Sequence, residues 1–190
     1  MPRKIPAAVA AEAGDAANGG AVHEVRLAQR VVHDQVGWRD PDDDQPVSTA
    51  GRAHFRALSD VAAAPLETSV YGLGLQDKLM GQVNLALAAR EVLKPAGSIT
   101  LTSGTTSTEP ILGGAALSMV NGALESWVRA AATELPQGWR INVVSPSLVE
   151  GTPAAACAAF PGFECVSGTR VALAYLRCLF SGINGQVIRI

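Results

Sequence analysis

Aromatic residues make up only 5% of this 190-residue chain, and basic side chains do not outnumber acidic ones, 15 against 17. Neither a basic stripe nor a set of stacking aromatics is present, which argues against a nucleic-acid partner. No apolar run is long enough to span a bilayer, and the N-terminus lacks a continuous apolar signal core, so a cytoplasmic protein without membrane contact is expected. Cysteine is scarce too. Cys157, Cys165 and Cys178 are odd in number and lack metal-type spacing, and His23, His33 and His54 lie far from them in the chain. They read as reduced thiols, with no metal site.

Apolar residues are plentiful at 48%, enough for a sizeable core. They are best ordered between Gly97 and Thr152. Gly97-Ser-Ile-Thr-Leu-Thr-Ser103 and Arg140-Ile-Asn-Val-Val-Ser-Pro146 are β-branched runs of strand length, the second stopped by proline. Between them Val120, Leu124, Trp127, Val128, Ala131 and Leu135 recur at helical spacing. Strand, helix and strand in that order predict a βαβ unit with parallel strands, and ligands of such sheets collect at the carboxyl ends of the strands. The polar loop Gly104-Thr-Thr-Ser-Thr-Glu-Pro110 sits at such an end and is the first place to look for chemistry. A further helix is expected from about Glu67 to Leu93, with Leu75, Leu79, Val83 and Leu87 as its stripe. Gly72, Gly74 and Gly81 weaken that helix, which suggests that they serve close packing against a strand or a partner helix.

The first 46 residues read differently. A dinucleotide-binding domain opens with a strand running into a glycine-rich turn, because only glycine lets backbone approach a pyrophosphate. The early cluster Gly14-Asp-Ala-Ala-Asn-Gly19-Gly20 has the wrong spacing, contains an acid, and follows an alanine-rich stretch that reads as helix. Ala21 to Val36 fits an amphipathic helix or a short strand. Trp38-Arg-Asp-Pro-Asp-Asp-Asp44 lacks the glycine and final glutamate of a calcium loop and reads as a solvated connector. Residues 1–46 carry five basic and eight acidic side chains against ten and nine in 47–190, a compositional break. Two segments are therefore expected: 1–46, poorly defined and without a phosphate loop, and 47–190, an ordered α/β portion.

From about Pro46 to Ile190 the chain resembles the C-terminal half of the short-chain dehydrogenase/reductase family, in a divergent bacterial branch. Ser48-Thr-Ala-Gly51 looks like the family's Asn-Asn-Ala-Gly element, Lys78-Leu-Met-Gly81 like its Asn-Leu-x-Gly, and Ser145-Pro-Ser147 like its Ser-Pro-Gly. Phe160-Pro-Gly-Phe163, Arg170-Val-Ala-Leu-Ala-Tyr175 and Gly185-Gln-Val-Ile-Arg-Ile190 resemble its closing loop, helix and strand. The resemblance implies an α/β fold with a Rossmann-like, doubly wound parallel sheet, here truncated. Either the first strands were lost in ancestry or an unrelated tract precedes a genuine half-domain.

The resemblance also exposes what is missing. In the family a tyrosine acts as general acid, a lysine four residues later lowers its pKa and holds the nicotinamide ribose, and a serine binds the substrate carbonyl. Here those positions are Leu117, Asn121 and Gly104, and neither Tyr71 nor Tyr175 is followed four residues on by lysine. Ser103 directly before Gly104 or Thr105 directly after it would restore a hydroxyl by a one-residue shift, and Lys78 stands where the family has a water-holding asparagine. By resemblance, Ser103, Lys78 and Asn121 are the catalytic candidates. Ala50, Gly51, Pro146 and Thr152 are the cofactor-binding candidates, for NADP or NAD, although the phosphate-binding loop is absent. For each there is a plainer use: a solvated lysine, an asparagine bonded to a loop carbonyl, a strand-end hydroxyl, a turn with a helix cap. Phe160 and Phe163 fit either apolar lining or packing.

The implied activity is hydride transfer between NAD(P) and a small-molecule carbonyl or alcohol, weak or lost. The alternative is an inactive fold relic or a homodimerising interaction subunit. The resemblance further implies a homodimer through helices 67–93 and 114–135. The sequence does not specify the substrate or choose between NAD and NADP.

Overall fold

A computed structural model describes residues 52–91 and 93–190. The segment 1–46 and the cofactor candidates Ala50 and Gly51 lie outside the described residues. The two expected strands form as β1, Ser98–Thr102, and β2, Arg140–Ser145. They pair in parallel, from Ser98 opposite Arg140 to Thr102 opposite Val144. The closing strand β5, Val187–Arg189, lies parallel on the other side of β2, so the order is β1-β2-β5. Two short parallel strands, β3 (Leu148–Val149) and β4 (Cys165–Val166), form a separate ladder.

Helices cover both faces of the three-stranded sheet. Strand side chains alternate between faces, and here Ile99, Leu101, Ile141 and Val143 pack beneath Leu124 and Val128 of the long helix α2, Ala115–Glu134. Val144 and Ile188 pack on the opposite side with Val171, Ala174, Tyr175 and Cys178 of the closing helix α4, Gly168–Phe180. A short helix α3, Ala154–Cys157, follows β3. This is an α/β, Rossmann-like layering with a parallel sheet. The expected α2 stripe holds: Val120, Leu124 and Val128 are fully buried, and Trp127, Ala131 and Leu135 pack beside them. The helix ends because Pro136 forces Leu135 out of helical geometry, to ψ 149°.

Helix α4 is capped at both ends. The Ser167 side chain accepts from the Arg170 amide, an ordinary N-cap. At the other end the Arg140 guanidinium donates to the Cys178 and Leu179 carbonyls, each at 2.6 Å, which satisfies orphan acceptors and opposes the helix dipole.

The helix expected over 67–93 differs in extent and phase. Its regular part is a π-helical turn, Gly74–Met80, running into helix α1, Gly81–Ala89. Gln82, Val83, Ala86 and Ala89 are buried, whereas Leu87 is exposed. A row at every fourth residue drifts about 40° per step on an α-helix, and the wider π turn resets the phase, so Leu87 rotates off the core row. One of the three glycines packs against a neighbouring helix, and a second is tight only within its own turn. A Cβ at Gly72 would lie 2.3 Å from the Leu66 carbonyl oxygen, and one at Gly74 would lie 3.1 Å from Val120 Cγ1, whereas Gly81 faces open space.

Candidate functional site

The loop after β1 is held across the carboxyl ends of β1 and β2. The Ser103 amide donates to the Val144 carbonyl at 2.9 Å, and the Thr105 amide donates to the Pro146 carbonyl at 3.0 Å. Residues Thr105–Ser107 then wind into one 3-10 turn. Gln82 of α1 secures the strand end from the other side: its Nε2 donates to the Thr102 carbonyl and its Oε1 accepts from the Thr102 amide, both at 2.9 Å. A buried side-chain amide thus continues the ladder at that point of β1. Sequence reasoning did not single out Gln82.

The three candidate catalytic residues have different settings. Asn121, on α2, is buried, and its Nδ2 donates to Thr106 Oγ1 at 2.9 Å. Its Oδ1 is buried and has no hydrogen-bond partner among the described residues. A Cβ built at Gly104 would stand 3.0 Å from Asn121 Nδ2, so the family's serine position faces the family's lysine position. Ser103 points elsewhere. Its hydroxyl donates to Glu125 Oε1 at 2.9 Å, one helical turn beyond Asn121. A shift of one residue in the loop therefore does not put a hydroxyl beside Asn121, because neighbouring residues at a strand end project in different directions. The hydroxyl that is there belongs to Thr106. Lys78 is half-buried on the π-helical turn, and its carbonyl accepts from Gln82 Nε2 at 3.0 Å.

Glu125 organises the rest. Besides Ser103 its Oε1 accepts from Ser107 Oγ at 2.6 Å, and its Oε2 accepts from Arg189 of β5 at 2.7 Å, with Arg129 at 3.5 Å. A signal for its burial was legible: Asn121, Leu124, Glu125 and Val128 share one face of α2 at helical spacing. It went unread because a glutamate on a helix is ordinarily solvated.

The cofactor candidates after β2 lie in the expected turn. The Pro146 carbonyl is occupied by the Thr105 amide, and Thr152 Oγ1 donates to the Val149 carbonyl at 2.7 Å, closing its own turn. Phe160 and Phe163 meet edge to face at 5.5 Å, and Phe55 meets Phe160 at 6.4 Å. They pack on one another across two loops.

Tyr175 belongs to the core beneath α4. It lies on the α4 side of the sheet, where its hydroxyl and Thr102 Oγ1 share a hydrogen bond at 2.6 Å. Burial pushes its pKa well above the usual tyrosine range, against the smaller lowering by that bond, and keeps it neutral. Leu117, half-buried one turn before Asn121, offers no proton. Among the described residues no cluster of three metal-ligating side chains occurs, and no helix is long and apolar enough to cross a membrane. The three cysteines form no disulfide with one another: Cys178 is buried, Cys157 half-buried and Cys165 exposed.

Comparison with known proteins agrees with this layout. The family model for enoyl-(acyl carrier protein) reductase matches residues 47–177. The crystal structure of protein lin1944 from Listeria innocua is similar, with 33% identity and a TM-score of 0.71 over 86% of this chain and 76% of that one. A small-chain dehydrogenase in complex with NADPH is similar at 26% identity and a TM-score of 0.65, over 88% of this chain and 78% of its own. The fold alone is shared with 3-hydroxyacyl-CoA dehydrogenase type-2 from Mycobacterium avium, at 22% identity and a TM-score of 0.63 over 77% of this chain and 64% of that one. No curated protein matches the chain in sequence. With a parallel β1-β2-β5 sheet covered on both faces, a polar loop at its carboxyl end and a matching family model over most of its length, this chain belongs to the short-chain dehydrogenase/reductase family.

Proposed function

We propose that this chain moves hydride between NADP or NAD and a small carbonyl or alcohol, slowly, with an amide and a threonine hydroxyl where its relatives use ionisable groups. The observation that carries the reading is Asn121 Oδ1: a buried acceptor left without a partner among the described residues, at the carboxyl end of the sheet. Such an atom is costly unless a donor reaches it, and a hydroxyl of the nicotinamide ribose is a fitting donor. The NADPH held by a similar small-chain dehydrogenase supports the cofactor class. Asn121, with the turn between Pro146 and Thr152, would hold the nicotinamide end. The bound dinucleotide supplies the hydride.

The chain's own contribution is polarisation without an acid. Thr106 Oγ1 accepts from Asn121 and keeps its own proton to donate, so it can take the carbonyl role that the sequence offered to Ser103. Lys78 or Asn121 relays the proton from solvent. Because Leu117 replaces the acid, the step forgoes the roughly 10²- to 10⁴-fold that a positioned general acid contributes.

A second reading has its own observation. Ser103 is committed to Glu125 and Thr152 to Val149, as in a fold relic or interaction subunit that binds no nucleotide. Both readings are compatible with a cytoplasmic homodimer through helices 67–93 and 114–135, on which Met80, Leu87 and Met119 are exposed. Titration with NADPH separates them. Saturable quenching of Trp127 or Trp139 emission supports the oxidoreductase; unchanged emission at millimolar NADPH supports the relic.

A further inference from the structure

Glu125 takes no part in the proposed reaction, yet it joins four segments of the chain. One buried carboxylate on α2 holds the end of β1 through Ser103, the 3-10 turn through Ser107 and the last strand through Arg189. The two serines bracket Gly104, Thr105 and Thr106, and both donate to the same oxygen, Oε1. We infer that Glu125 is a positioning residue: it pins both ends of the Ser103–Ser107 loop and thereby sets Thr106 and Gly104 against Asn121.

Three features favour this over a purely structural role. Hydrogen bonds to a carboxylate are short and directional, and Ser107 Oγ at 2.6 Å is the shortest contact of the set. Both guanidinium partners are about half-exposed, so the ion pairs add little stability and what they fix is the carboxylate's geometry. Groups that hold a reacting constellation in register commonly sit one layer behind it, as Glu125 sits one turn behind Asn121. Arg189 completes the arrangement by holding the other carboxylate oxygen, Oε2, at 2.7 Å.

The consequence for NADPH binding rests on the reading under Proposed function; the consequence for the loop does not. The test compares Glu125→Ala and Glu125→Gln with Val128→Ala, a control that removes core packing from the same helix face without touching the loop. Two quantities are measured: NADPH affinity from tryptophan quenching, and amide hydrogen exchange at Thr105 and Ser107. Glu125→Ala is expected to weaken NADPH about tenfold, the size seen when an outer support of a binding site is lost, and to speed exchange at both amides beyond its effect on global unfolding. Glu125→Gln, which retains an acceptor for the serines, recovers part of both. Val128→Ala lowers stability and leaves both quantities in line with global unfolding. Equal changes in Glu125→Ala and Val128→Ala, or none in Glu125→Ala, overturn the inference. If wild-type protein shows no quenching, the proposed function fails, and loop exchange alone decides the role of Glu125.

Discussion

Two polar side chains one turn apart on α2 meet opposite fates. Glu125 is saturated: two serine hydroxyls and two guanidinium groups converge on its oxygens. Asn121 is equally buried but half-used, with Nδ2 on Thr106 and Oδ1 on nothing among the described residues. A polar group with every bond made inside the protein holds the fold together, whereas one with an unfilled valence at the carboxyl end of a parallel sheet is available to a ligand. The difference separates support from chemistry on a single helix.

The largest expected effect is on activity at the Asn121 end. Restoring the family's pair with Leu117→Tyr and Asn121→Lys should raise NADPH-dependent reduction of a small ketone about a hundredfold, the lower range for a general acid; an unchanged rate would mean that this end is not the reacting one. Next comes Glu125→Ala, expected to cost about 2 kcal/mol in urea unfolding. That is below the usual penalty for breaking a buried pair because Arg189 is 41% exposed and can turn to solvent. A loss no larger than that of Asn121→Ala would erase the contrast between the two residues.

Tyr175→Phe tests a second saturated group. It removes the Thr102 bond on the α4 side and should cost about 1 kcal/mol, with NADPH affinity unmoved. Asn121→Ala is expected to cost less than about 1 kcal/mol, since it removes an orphan acceptor along with a single hydrogen bond, yet it should abolish NADPH quenching. The smallest effect concerns Cys178. Burial pushes its thiol from 9.0 up to about 11, against lowering by the Arg177 and Arg140 charges. The folded state therefore keeps the thiol neutral where the unfolded chain ionises it. Its contribution to stability is full below pH 9 and is lost as pH rises through about 11. Comparing urea midpoints of wild type and Cys178→Ala across that window checks the sign: the gap between them should narrow as pH rises.

Legibility from sequence followed the range of the interactions. β1, β2 and the α2 stripe were readable because apolar alternation and helical recurrence are local properties of the chain. The π-helical turn before α1 was not: nothing in Gly74–Met80 announces it, and the stripe through Leu87 went astray as a result. At the site, Asn121 and Gly104 could be placed by resemblance, but the exchange of Ser103 for Thr106 depended on how the loop leaves the strand. Glu125 and Gln82 were missed because their partners on the strands and the loop lie 18 to 64 positions away in the chain.

The order of apolar runs alone determined that a parallel sheet would be wound here with a helix between its strands, because burying two β-branched runs and one helical stripe leaves few other arrangements. The same residues already declared that tyrosine and lysine are absent from their family positions. Which hydroxyl faces Asn121, which carboxylate is spent on support and which acceptor stays open were decided only by the tertiary structure. Hydrogen bonds between distant segments depend on side-chain direction and distance, and these exist only once the sheet and its helices have packed.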